Sequence, residues 1–238
     1  MRSCGSKEMD NVKALALASG GKDSILAIHM AVKQSVKLEG ILTILPEDPE
    51  SMLYHTPNVE HVEKIAESLG TKWISIDAPK DAEEAALSQI LSSLDIKMLI
   101  TGGIKSKYQR DKFDNICQAL SISLYSPLWG LKASEIYSMI DRFKLDPIII
   151  AVASLGLGKE WLGQHLNPQN VKKLFALSEK YQFDPTGEGG DFETFVLNGL
   201  MYRKQLLVES AQVRWYGDRG TLSLDKVTLL EKEGVGNA

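Results

Sequence analysis

At 238 residues, with 44% hydrophobic and 24% charged side chains, the chain has an ordinary globular composition and room for one large or two modest domains, which excludes a disordered or fibrous protein. Its 27 basic and 31 acidic residues leave a net charge of −4. That balance supplies no global attraction for nucleic acid or for an anionic membrane surface and leaves room only for a local basic patch.

No apolar run approaches the roughly 20 residues needed to cross a bilayer, and the start, MRSCGSKEMD, lacks the apolar core of a signal peptide. The expected location is the cytoplasm. Cys4 and Cys117 form neither a disulfide framework nor a CxxC pair, and His29, His55, His61 and His165 lack zinc-ligand spacing.

In chain order, VKALALA (12–18) reads as a buried strand, and the stretch after Asp23 places Ile25, Ile28, His29 and Val32 on one helical face. EGILTIL (39–45) is a second strand, ending in the turn-rich Pro46-Glu47-Asp48-Pro49. Thr56-Pro57 reads as a helix start, with Val59, Val62, Ala66 and Leu69 inward and Gly70 as the stop. KWISI (72–76) is a third strand. Asp81, Glu83 and Glu84 open a helix that turns Ala86, Ile90, Leu91 and Leu94 inward.

KMLITGG (97–103) is a fourth strand ending in glycines, and a helix from Ser106 buries Phe113, Ile116, Cys117 and Leu120 before ISLYSPLWG returns as a short strand. Five strands alternating with four helices predict an α/β fold, an open and mainly parallel sheet with helices on both faces. Beyond Trp129 come a helix near 132–143, the strand PIIIAVA (147–153), a helix over 168–181, a cluster of glycines, and two alternating strands over 206–216 and 221–231. These predict a smaller C-terminal α+β domain. The domains expected are 1–128 for nucleotide binding and 129–238 for substrate binding, with GVGNA as a loose tail.

Ser19-Gly20-Gly21-Lys22-Asp23-Ser24 joins the first strand to its helix. Backbone N–H groups at the positive end of a helix, glycines that admit close approach, a lysine and two hydroxyls suit a polyphosphate. The spacing matches neither GxxxxGK[ST] nor GxGxxG.

The stretch resembles the SGGxDS loop of the N-type ATP pyrophosphatases, the adenine nucleotide alpha-hydrolase-like superfamily with HUP-like domains. That resemblance implies cleavage of ATP between its α- and β-phosphates. Ser19, Gly20, Gly21, Lys22, Asp23 and Ser24 would hold the nucleotide, Lys22 and the loop N–H groups would stabilise pyrophosphate, and Asp23 would help hold Mg2+.

Three further segments, ITGGIKSKYQRDKFDNICQAL (100–120), LGLGKEWLG (155–163) and GEGGDFETFVLNG (187–199), together resemble the diphthine–ammonia ligase family in its short form, over almost the whole chain. The resemblance implies adenylation of the diphthine carboxylate on translation elongation factor two, then attack by ammonia, with release of AMP and pyrophosphate. Where the family pattern has glutamate this chain has Asp191, one methylene shorter. The partners expected are that factor, ammonium and ATP, with no membrane, nucleic acid unfavoured and a homodimer allowed. The alternatives are a tRNA-modifying ATP pyrophosphatase, against which stand the acidic charge and missing CxxC pairs, and an adenine-nucleotide-binding module without turnover.

Gly102 and Gly103 end the fourth strand, where backbone approaches a nucleotide or simply turns. Lys105, Lys107, Arg110 and Lys112 form a basic cluster suited to phosphate, to an acidic protein surface, or to solvent alone. Glu188, Asp191 and Glu193 lie among Gly187, Gly189 and Gly190, a spacing compatible with gathering carboxylates around a cation. One of the three is expected to bind ammonium or deprotonate it. Trp129 and Trp161 serve either core packing or a cage for the trimethylammonium of diphthine. His55 falls in the loop after the second strand, near the nucleotide or on the surface.

Overall fold

The computed structural model describes residues 9–46, 58–79 and 82–232. Cys4, the loop of Glu47, Asp48 and Pro49, His55, the Thr56-Pro57 helix start, Asp81 and the GVGNA tail lie outside the described residues.

The first half runs β1 (Lys13–Leu17), α1 (Lys22–Lys33), β2 (Lys37–Pro46), a 3-10 turn at Val59–His61, α2 (Val62–Leu69), β3 (Lys72–Ala78), α3 (Glu83–Ser92), β4 (Met98–Ile100), α4 (Lys107–Ala119) and β5 (Ser123–Tyr125). The second runs α5 (Ala133–Arg142), β6 (Pro147–Val152), a 3-10 turn at Lys159–Trp161, α6 (Pro168–Tyr181), β7 (Phe192–Val196), β8 (Lys204–Trp215) and β9 (Gly220–Glu231). The described residues form two compact units. One draws on 9–19, 23–46, 71–79 and 82–130, the other on 20–22, 58–70 and 131–232.

The first unit holds a sheet ordered β3-β2-β1-β4-β5 in which every pair is parallel. Parallel strands buried on both faces read as continuous apolar runs, which is how KALAL and MLI appear. Because successive side chains alternate in direction, Leu15, Leu42, Ile44 and Leu99 meet Leu87 and Leu91 of α3 and Phe113, Ile116 and Cys117 of α4 in one core cluster. Each such side chain contributes roughly 1.5–3 kcal/mol by leaving water. Ala14, Ala16, Ile41 and Ile100 point to the opposite face and are equally buried, as are Ile25, Leu26 and Ile28 of α1. Strand order reverses between β1 and β4, so the segments leaving them, 18–21 and 101–103, lie at the switch point where such sheets bind ligands.

The second unit holds an antiparallel sheet ordered β7-β6-β9-β8. Its strand β7 is not anticipated by the sequence reading, because the preceding glycines mark a loop and only five residues follow before the next turn. Helix α2 packs on β8 and β9. Asn58, in a left-handed conformation at φ 59° and 5% exposed, explains the attachment: its amide donates to Leu222 O at 3.0 Å and its carbonyl accepts from Leu224 N–H at 2.7 Å. His61 Nε2 donates to Leu224 O at 2.5 Å. Gly70 ends α2 at φ 69°, in agreement with its reading as a helix stop.

Candidate active site

Strand β1 delivers the chain to Ser19, Gly20 and Gly21, and α1 begins at Lys22 with Asp23 in its first turn. Gly20 adopts φ 85°, and a Cβ there would lie 2.6 Å from the Phe195 ring, so both backbone and packing require glycine. Its carbonyl accepts from Val196 N–H at 2.9 Å. Lys22 N–H donates to Thr194 Oγ1 at 3.0 Å. The SGGKDS loop is therefore hydrogen-bonded to the FETFV strand that follows the acidic glycines. Two motifs more than 160 residues apart in sequence form one construction.

Lys22 is 3% exposed. Its ammonium donates to the backbone carbonyl of Thr186 and lies 5.4 Å from the centre of the Phe192 ring. A buried ammonium persists only where acceptors and a polarisable face replace water, and both are supplied here. Asp23 and Ser24 are half-buried, and Asp23 Oδ1 is shielded from solvent. A single carboxylate in the first turn of a helix is a donor set that fits Mg2+, which takes one or two carboxylates and fills its other positions with phosphate oxygens and water.

Gly102 approaches this helix end from the β4 side. A Cβ on it would lie 2.5 Å from Ser24 N and 2.6 Å from the Asp23 carbonyl carbon, so its close contact is with protein backbone. Gly103 has nothing within 4 Å of the corresponding position. Thr101 Oγ1 lies 2.8 Å from Ser126 Oγ, and Gly130 N–H donates to Ile104 O at 3.0 Å, which ties the loops after β4 and β5 together.

The acidic loop is closed at its base. Asp191 accepts the Ser154 hydroxyl on Oδ1 and the Asp184 N–H on Oδ2 at 2.9 Å, while its backbone carbonyl accepts Ala153 N–H at 2.9 Å. Asp184 Oδ1 accepts the N–H and hydroxyl of Thr186 at 2.8 and 2.7 Å, and Tyr137 OH donates to Pro185 O at 2.7 Å. Gly187, at φ 77°, faces Phe192 O at 2.6 Å from a would-be Cβ. Glu188 and Glu193 are half-buried. Strand alternation puts Glu193 on the opposite face of β7 from Phe192 and Thr194.

The Asp191 carboxylate is thus turned into the base of its own loop. Among the described residues, no group of three or more His, Cys, Asp and Glu is placed to hold a metal ion. The cation-gathering arrangement expected from the spacing of Glu188, Asp191 and Glu193 is not formed.

The basic cluster divides as well. Arg110 stacks on Trp129 at 4.3 Å, and Lys112 pairs with Glu84 and lies over Tyr108 at 4.4 Å, whereas Lys105 and Lys107 are exposed. One face of Trp129 is covered by a guanidinium, and Trp161 is 7% exposed. Trp161 is thus part of the packed interior, whereas Trp129 is half-buried. Thr194, Thr186, Asp184 and Ser154 were not picked out from the sequence. The available signal was Lys22 itself, since a lysine at a helix start between apolar elements must find acceptors.

A model of the diphthamide synthase N-terminal domain matches residues 12–124, and one of the diphthamide synthase C-terminal domain matches 133–230. Among curated relatives, the diphthine–ammonia ligase of Danio rerio is 28% identical over 231 residues, covering 87% of this chain and 90% of its own. That of Homo sapiens is 26% identical, covering 85% of each. The Schizosaccharomyces pombe ligase is 26% identical over 85% of this chain, which spans only 37% of that longer protein.

Among solved structures, a chain described as a predicted subunit of tRNA methyltransferase from Methanocaldococcus jannaschii superposes with a TM-score of 0.43 at 17% identity, covering 79% of this chain and 97% of its own. The U34-tRNA thiolase of Methanococcus maripaludis gives 0.39 at 13% identity, covering 75% and 70%. With both of its domains matched in order, the chain belongs to the diphthamide synthase family.

Proposed function

We propose that this chain amidates diphthine on translation elongation factor two, using ATP and ammonium and releasing AMP and pyrophosphate. The family consists of ligases that form a carbon–nitrogen bond, and the relatives named above carry the name diphthine–ammonia ligase. The observation that carries the finer reading is the hydrogen bonding of the phosphate loop to the acidic-glycine motif through Lys22, Gly20, Thr194 and Val196. A site that must both displace pyrophosphate and handle ammonia needs those two parts in fixed register.

In this reading a diphthine carboxylate oxygen attacks the α-phosphorus of ATP and pyrophosphate leaves. Ammonia then attacks the acyl carbon, and AMP departs with the carboxylate oxygen. The start of α1, with Ser19, Gly20, Gly21 and Ser24, presents N–H groups and hydroxyls to the departing pyrophosphate. Mg2+ held through Asp23 would neutralise phosphate charge.

Glu188 or Glu193 takes the proton from ammonium, and Gly102 keeps the β4 loop against α1. Residues 1–128 carry the nucleotide and 129–238 the protein substrate, in the cytoplasm. No helix among the described residues is long and apolar enough to cross a membrane.

Incubation with ATP, ammonium and diphthine-bearing elongation factor two is expected to yield AMP and an amidated histidine derivative, while tRNA in place of the factor yields neither. Formation of ADP, or turnover with tRNA alone, would reject the assignment.

A further inference from the structure

We infer that Lys22 is a positioning residue whose ammonium clamps the acidic loop to the phosphate loop, and that Asp191 closes the same clamp from the far end. This rests on the reading that the loop carrying Glu188 serves ammonia.

The bonds form a chain without a gap. From the start of α1, the Lys22 ammonium reaches the Thr186 carbonyl. Thr186 grips Asp184 Oδ1 twice, Asp184 N–H reaches Asp191 Oδ2, and Asp191 Oδ1 ends on the Ser154 hydroxyl beyond β6. Asp184 and Asp191 flank the turn that holds Glu188, and the Gly187 N–H closes onto Asp184 O at 2.9 Å.

Both carboxylate oxygens of Asp191 are thereby engaged in holding the loop's base. The shorter aspartate suits a carboxylate that must fold back on its own loop. A glutamate would carry the charge one methylene further out.

The chemistry follows from the geometry. Lys22 N–H fixes β7 through Thr194 while Lys22 Nζ fixes the loop before β7, so one residue of the phosphate loop grips both flanks of residues 187–191. The shape of the phosphate loop then sets the position of Glu188, and the two half-reactions share one frame.

The test uses the full chain carrying Lys22→Met, Thr186→Val, Ser154→Ala and the Lys22→Met/Ser154→Ala pair. ATP–pyrophosphate exchange with diphthine-bearing factor and no ammonium reports adenylation, and amidation against ammonium concentration reports the second step. Thr186→Val and Ser154→Ala are each expected to keep exchange within about twofold, and all three single variants to raise the ammonium KM roughly tenfold, the loss of one charge-assisted or buried bond. The pair is expected to fall short of the product of its singles, because its members belong to one network.

Amide hydrogen exchange over 187–191 is expected to speed up roughly tenfold in each single variant, independently of any activity. Unchanged exchange over 187–191 would overturn the clamp. So would loss of pyrophosphate exchange in Lys22→Met with an unaltered ammonium KM in Ser154→Ala, because that pattern belongs to a lysine acting on pyrophosphate. Should Lys22→Met fail to fold, Thr186→Val and Ser154→Ala decide by the same readings. A wild-type protein that does not amidate diphthine would reject the functional reading and leave the hydrogen-exchange result to judge the clamp.

Discussion

The two sheets are built by opposite strategies. In the parallel sheet, β1, β2, β4 and β5 are short apolar runs joined by local helices, and the core under α3 and α4 comes from residues that a helical or strand period already marks. In the antiparallel sheet, β9 is stitched to Asn58 and His61, and β7 to Gly20 and Lys22, by bonds that span more than 160 positions. The first architecture is a sum of local choices. The second depends on single polar residues placed far away in sequence, and those residues include the phosphate loop.

The largest effect is expected where the parallel sheet meets α1. Gly102→Ala inserts a methyl 2.5 Å from Ser24 N, and the helix end or the β4 loop must move. Displacements near 1 Å cost reactions on the order of a hundredfold. ATP–pyrophosphate exchange should fall by about that factor while the thermal transition remains cooperative. Full activity would show that the helix end tolerates the shift.

Asn58→Ala tests the stitching of the other sheet. It strands the Leu222 carbonyl and the Leu224 N–H, buried groups that cost about 1–3 kcal/mol each when unpaired. Urea unfolding should show a loss of about 2–4 kcal/mol, and hydrogen exchange should accelerate first along β9. A loss spread evenly over both sheets would contradict the division drawn above.

Cys117 probes the dry core beneath α4. Burial pushes its thiol up to about 11 from an ordinary 9.0. The folded state therefore holds this proton more tightly than the unfolded one, so its contribution is complete below about pH 9 and is lost as pH rises through about 11. The wild type should lose stability across that window more steeply than Cys117→Ala, as measured by chemical unfolding at each pH. Equal slopes would place the thiol in contact with water.

The parallel sheet was largely legible, because a period of two or of 3.6 is a local property. Phe113, Ile116 and Cys117 read directly as an inward face, and they are buried. Ala86, Ile90, Leu91 and Leu94 read as an inward face and pack in or against the core, whereas the fully buried Leu87 lies beside that stripe and was not legible.

The SGGKDS loop read as a phosphate cradle. The destination of its lysine was not legible, since Thr186 is distant in sequence and offers a backbone carbonyl, a group every residue carries. Asp191 likewise read as one of three similar acids, and its pairing with Ser154 depends on β6 and β7 lying side by side. Trp129 read either as core packing or as part of a cage, and its stacking with Arg110 was not legible.

The central claim is that the phosphate loop serves adenylation of a carboxylate. It is tested most directly by labelling the diphthine carboxylate of elongation factor two with a heavy oxygen isotope and following the label through one turnover with ATP and ammonium. The account predicts one labelled oxygen in the phosphate of AMP, appearing in step with the amide. Label in inorganic phosphate with ADP as the nucleotide product, or amide formed with no label in AMP, would contradict it.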